Sequence, residues 1–172
     1  WRARWLLAGM LAVGCTPDGS PVTGASPVEY TIGIVRIDTH GIVVDDQQDE
    51  RPWVDATVEV VEGTVQAPAE FDGVAAWRGQ AAMHLRGNST ADYAKKQYAL
   101  ETRDSNGDDL DVTLLGLPVE EDWVLAAPYS DKTLMRNHLM FAWSRAIGRY
   151  APRTRYVELF LEDGGQTVGP ED

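Results

Sequence analysis

Beyond residue 30 the chain is a succession of short apolar runs separated by Gly, Pro, Asn and Asp, the spacing of strands and tight turns rather than of long helices. Residues 30–37 are rich in β-branched side chains and predict a first strand, closed by a turn at 38–41. Strict alternation over 56–61 predicts a second strand, 80–85 a third, 96–102 a fourth and 154–161 a last one. Residues 123–126 predict a short buried strand or turn. The Asn106-Gly107 pair, flanked by Asp104 and Asp108, is a hairpin signal. One segment has helical periodicity. Asp131 is the expected N-cap, 132–147 contains no Pro or Gly, and Gly148 can supply the left-handed terminator. Met135, Leu139, Trp143, Ala146 and Ile147 fall on one face of that helix and are expected to lie on the sheet. The pattern therefore predicts an α+β fold, an antiparallel-rich sheet with one main packed helix.

The first residues read differently. Arg2 and Arg4 precede an apolar run over 5–13 and then Gly14-Cys15. A basic start, a short apolar stretch and a small residue describe an export leader over 1–14. Nine such residues fall short of the ~20 a membrane-spanning helix needs. Leu11-Ala12-Val13-Gly14-Cys15 resembles a bacterial lipobox, although Ala12 stands where Leu is usual. On that reading Cys15 carries a lipid and anchors the protein to the membrane of the cell envelope; the alternative is a plain leader and a secreted protein. Cys15 is the only cysteine, so no intrachain disulfide can form. Residues 15–29, rich in Pro, Gly, Ser and Thr, predict a flexible tether, leaving 30–172 as the domain. A net charge of −12 argues against nucleic acid as a partner, because a phosphate backbone would be repelled.

Candidate chemistry is concentrated between residues 86 and 136. Alternation along the fourth strand puts Lys96 with Tyr98 and Leu100 on the inward face and Lys95 on the other. A buried ammonium needs an anionic partner, and a strand lysine facing a cleft is how kinases hold nucleotide phosphates. The plainer reading is a lysine snorkelling at the sheet edge. Arg86-Gly87-Asn88-Ser89 can receive a phosphate through its glycine backbone and hydroxyls, or can be ordinary turn chemistry. Arg136 falls inside the apolar arc of the helix, where its guanidinium requires a carboxylate or phosphate. Asp104, Asn106 and Asp108 imitate part of a calcium loop, but no Glu follows at its twelfth position. His40, His84 and His138 have no metal-ligand spacing.

Taken in order, Arg86-Gly87-Asn88-Ser89, Lys95-Lys96-Gln97-Tyr98, Leu115-Gly116-Leu117-Pro118, Asp122-Trp123-Val124-Leu125, Asp131-Lys132-Thr133-Leu134, Arg136-Asn137 and Tyr150-Ala151-Pro152-Arg153-Thr154-Arg155 resemble the CotH family of spore-coat and secreted bacterial proteins. The resemblance covers roughly residues 30–162. It implies the N-terminal portion of an atypical kinase fold, ATP and Mg or another divalent metal as cofactors, and Ser of a protein substrate as acceptor. It makes Lys96, Arg86, Ser89 and Arg136 the nucleotide-side candidates. Ordinary kinases pair the strand lysine with a helix Glu, yet 132–147 holds no Asp or Glu. The family's metal and base carboxylates follow the last strand, so the resemblance implies a fragment without metal or catalytic residues, inactive alone. A non-catalytic surface lipoprotein with an adhesive or structural role is the competing expectation.

Overall fold

A computed structural model describes residues 9–13, 32–44 and 51–164. The cleavage point, Cys15 and the tether lie outside the described residues. Among those described, the order is β1 (Gly9–Val13), β2 (Gly33–Asp38), β3 (Val54–Val61), β4 (Trp77–Arg86), β5 (Gln97–Arg103), β6 (Asp122–Ala126), α1 (Arg136–Ala146) and β7 (Arg153–Glu162). The sheet-rich α+β class and the single helix agree with the pattern. The strands form a closed barrel in the order β1-β6-β5-β4-β3-β2-β7. All pairs are antiparallel except β2 with β7.

Alternation fixes which side chains fill the barrel. Val35 and Ile37 of β2, Ala56, Val58 and Val60 of β3, and Met83 and Leu85 of β4 are buried. Cross-strand register continues the same face: Leu85 opposes Tyr98, and Leu100 opposes both Met83 and Trp123. Burial of such side chains contributes about 1.5–3 kcal/mol each.

One end of the barrel is plugged by the loop before β6. Leu114, Leu115 and Leu117 are buried there, with Leu115 and Gly116 both at positive φ. A Cβ at Gly33 would lie 2.7 Å from Leu115 Cδ2, so glycine on β2 makes room for the plug. Arg155 on β7 holds it from the other side, its Nε donating to the Leu115 carbonyl at 3.1 Å. The Asp104–Asp109 turn is a hairpin turn as predicted. The Asp104 carboxylate accepts the Asn106 and Asp108 amides at 2.7 and 3.1 Å, and Gly107 adopts φ 87°. Those bonds, the Asn106 amide first, hold the carboxyl below its ordinary range.

The helix departs from expectation in two ways. It starts at Arg136, not at 132, because Leu134 adopts φ 59° and breaks the run. Asp131 still serves the helix start from a distance. Its carboxylate accepts the Arg136 amide at 3.0 Å, as well as the Thr133 amide at 3.1 Å and hydroxyl at 2.7 Å. Second, the apolar face is not packed on the sheet. No residue of α1 is buried, and Met135, Trp143 and Ile147 are 48%, 60% and 77% exposed. Polar contacts hold the helix against β7 instead. His138 Nδ1 lies 2.7 Å from Thr154 Oγ1, the Tyr156 hydroxyl donates to Leu134 O at 2.9 Å, and Arg145 donates to Pro152 O.

Candidate functional site

The connection from β4 to β5 carries most of the cations singled out above. Arg86 ends β4 and is exposed. Gly87 follows at φ 97°, a conformation that side chains with a Cβ rarely adopt. Asn88 and Thr90 then form two successive turns, their carbonyls accepting the Ala91 and Tyr93 amides at 3.1 and 3.2 Å. Ala91 is buried and seats the loop, while Ser89 stays exposed. Arg51 fastens the loop from the other side by donating to Gly87 O. No sequence signal marked Arg51, since its role depends on a contact thirty-six positions away.

The two lysines exchange their expected places. Lys95 is the more buried, 9% exposed, and burial lowers the pKa of its ammonium. Lys96 is half-buried and donates to Ala91 O. Strand β5 begins at Gln97, so both lysines sit in the preceding bend and the strand alternation does not reach them. From Tyr98 onward the alternation holds, with Tyr98, Leu100 and Thr102 inward.

Tyr93 brings a second segment to the same end. Its ring lies 5.2 Å from that of Tyr129, next to the Asp131 turn and the start of α1. Lys132 stacks over Tyr129 at 4.2 Å and donates to its carbonyl at 2.8 Å. Arg136 is therefore on this end of the fold. It lies along the apolar arc, but that arc is uncovered, so its guanidinium stands in solvent. It is 76% exposed and 3.5 Å from Asp131, the ordinary salt bridge. The Thr133 hydroxyl above all holds the Asp131 carboxyl below its usual range.

The β4–β5 connection thus carries a positive-φ glycine, the exposed Ser89 and the cations Arg86 and Lys96, and the Tyr93–Tyr129 contact joins it to the segment that carries Arg136. Among the described residues, one acidic group has oxygens within 4.8 Å of one another: Asp111, Glu120 and Glu121. The Asp111 carboxyl, hydrogen-bonding to it, pushes Glu121 up to about 7. That group lies beside Thr102, whose amide donates to Glu121 O at 3.0 Å. Six residues of extended chain separate it from Lys96, ~20 Å at strand rise.

A cleft of about 370 Å³ opens elsewhere, on the outer faces of β2, β3 and β7. There Arg36 pairs with Glu59 at 2.5 Å and lies over the Phe71 ring, while Arg78 pairs with Glu59 at 3.1 Å. None of the four nucleotide-side candidates lines it.

Several of the motif residues that carry the sequence resemblance have a packing role. Leu115 and Leu117 plug the barrel, Trp123 and Leu125 fill it, Asp131 braces the helix start, and Thr154 and Arg155 hold the helix and the plug. Arg86 and Ser89 are exposed and have no such role among the described residues. A family model described as CotH kinase protein matches residues 83–169, from within β4 past the end of β7. No curated protein and no solved structure matches the chain.

Proposed function

The chain belongs to the CotH kinase protein family, and on that premise we propose that its β4–β5 end binds the phosphates of ATP in a protein kinase of the bacterial cell envelope. The reaction is transfer of the terminal phosphoryl group to a serine hydroxyl of a protein, the new Oγ–P bond replacing the bond to the departing ADP. One observation carries the reading. Arg86, Ser89 and Lys96 gather around a positive-φ glycine turn inside the family-matched span, and Arg86 and Ser89 have no evident packing role. Lys96 would exchange its Ala91 carbonyl acceptor for a phosphate oxygen, so that the ammonium meets a formal negative charge in place of a neutral carbonyl. Arg86 and Arg136 would flank the anion, and the Ser89 hydroxyl would donate to it.

Mg or another divalent ion supplies charge neutralisation in such transfers. The described residues at this end fit the anion but not the ion, since their only close carboxylate group stands at the far end of β5. A second reading, a non-catalytic surface protein on the same fold, is favoured by one fact: α1 contains no carboxylate to pair with Lys96.

Titration of the exported protein with a fluorescent ATP analogue tests the site. Lys96→Ala is expected to weaken binding tenfold or more, ~1.4 kcal/mol, and Lys95→Ala much less. Unchanged affinity in Lys96→Ala would remove Lys96 from the site. Label appearing on protein serine only with both ATP and Mg²⁺, and lost in Lys96→Ala, supports the kinase. Binding without transfer supports the non-catalytic reading.

We further propose that residues 1–14 are a leader and that Cys15 bears a lipid anchor. The mass of the exported protein should begin at Cys15 with a diacyl addition. Cys15→Ser should move the protein from the detergent phase to the aqueous phase; unchanged partition would exclude the anchor.

A further inference from the structure

The cleft on the outer faces of β2, β3 and β7 has a floor of two side-chain rows that strand register sets side by side. In the first row Phe160, Arg36, Glu59 and Arg78 follow one another across β7, β2, β3 and β4. In the second, Glu162, Asp38 and Thr57 follow one another across β7, β2 and β3. Side chains two apart along a strand share a face, and all of these line the cleft. The rows stand two residues apart, ~6.6 Å at strand rise.

Neither row is balanced in charge. Arg36 and Arg78 share one carboxylate, Glu59, at 2.5 and 3.1 Å. One positive charge is left over, and Arg36 Nε is buried with no acceptor among the described residues. Arg36 is held in place, its Nη1 donating to the Phe71 carbonyl at 2.5 Å and its guanidinium lying over the Phe71 ring. Arg78 is 69% exposed and can turn to a second anion. In the other row Asp38 and Glu162 are in register on adjacent strands, and like charges so placed repel. Among the described residues, the one basic group at ion-pair distance from either is His40, 3.5 Å from Asp38. An apolar wall completes the cleft beside the positive row, where the Phe71 and Phe160 rings meet edge to face at 4.8 Å.

A lone anion in this cleft would meet Asp38 and Glu162, and a lone cation would meet Arg36 and Arg78. A ligand carrying both charges ~6.6 Å apart satisfies both rows. Extended chain advances about 3.3–3.6 Å per residue, so the two termini of a free dipeptide stand at that separation. We propose that the cleft binds a free dipeptide. Its ammonium lies between Asp38 and Glu162, its carboxylate on Arg78, and the side chain of its C-terminal residue against Phe71 and Phe160. The cleft volume of about 370 Å³ suits a ligand of this size, near the lower end of the ~300–1,000 Å³ of small-molecule sites. None of the nucleotide-side residues takes part, so the site stands whether or not the β4–β5 end binds ATP.

Glycyl-leucine titrated into the full chain and followed by amide NMR spectra tests the site. The amides of Arg36, Asp38 and Thr57 are expected to shift saturably, with a Kd on the order of 1 mM or below, while that of Met83 on β4 stays in place. Leucyl-glycine carries its side chain at the wrong end and should bind about tenfold more weakly. N-acetyl-glycyl-leucine lacks the ammonium and glycyl-leucine amide lacks the carboxylate; each should lose about tenfold or more. Glu162→Gln should weaken glycyl-leucine to a similar extent and leave the acetylated peptide unaffected. Arg78→Gln should weaken glycyl-leucine and leave the amide unaffected. The absence of a saturable shift would overturn the site, as would an acetylated or amidated peptide that binds as tightly as the parent. Equal binding of leucyl-glycine, or of 5-aminopentanoate, which has the two charges but no side chain, would overturn the dipeptide assignment.

Discussion

Trp123→Ala should remove about 3–5 kcal/mol of folding stability, the usual cost of deleting a buried large aromatic ring. That is a large share of the ~5–15 kcal/mol by which a domain is stable. Trp123 is 1% exposed, the largest fully buried side chain among the described residues, and stands on β6 between β5 and β1. Its neighbours are held by strand pairing, so the cavity cannot collapse. The indole carries a second feature. Its Nε1 is buried and has no acceptor among the described residues, and leaving a buried donor unbonded costs about 1–3 kcal/mol. Trp123→Phe keeps a ring and removes that donor. The two effects oppose each other, so the Phe variant should lose less than about 1.5 kcal/mol in urea denaturation. Equal losses from Ala and Phe would mean that Nε1 has a partner and that the polar bond, not the ring volume, matters at this position.

The strands were legible because alternation is a local property. Ala56, Val58 and Val60 point inward as their spacing predicts, and Asn106-Gly107 makes the turn its backbone preferences dictate. Three readings failed for reasons that local pattern does not contain. The faces expected of Lys95 and Lys96 extend a strand that begins one residue later, and a bend obeys no period of two. The helix start was displaced because Asp131 satisfies a turn and the first helical amide at once, with Leu134 left-handed between them. The apolar arc of α1 is uncovered because periodicity reports where apolar side chains point, not whether anything lies opposite. The run over 5–13 shows the deepest ambiguity. A short apolar segment has the composition of a leader and of a buried strand alike, and the place of its residues Gly9–Val13 in the barrel is visible only once β6 and β7 are seen one strand apart. For the candidate site, sequence supplied Arg86, Ser89, Lys96 and Arg136, and the structure adds Arg51 beneath the turn and Tyr93–Tyr129 joining the two segments.

Gly87→Ala should cost both stability and nucleotide affinity, and a second substitution should separate the two. Gly87 sits at φ 97°, where a residue with a Cβ is strained by roughly 1–2 kcal/mol. An added Cβ would also lie 2.0 Å from Thr90 Oγ1, so Thr90 must leave its rotamer, at ~1 kcal/mol more. The single variant is therefore expected to lose about 2–3 kcal/mol. Thr90→Ala removes the clashing oxygen, and its own Cβ would stand 3.4 Å from the new one, an ordinary contact. The double variant should regain about 1 kcal/mol relative to Gly87→Ala alone, a coupling that a double-mutant cycle reads directly. Affinity should not return with it. The φ strain is relieved by turning the peptide whose carbonyl Arg51 holds and whose neighbours present Arg86 and Ser89. ATP-analogue binding is thus expected to stay tenfold or more below wild type in both variants. If the double variant recovers affinity along with stability, the phosphate-binding role of the turn geometry is wrong and the glycine serves only the packing of Thr90.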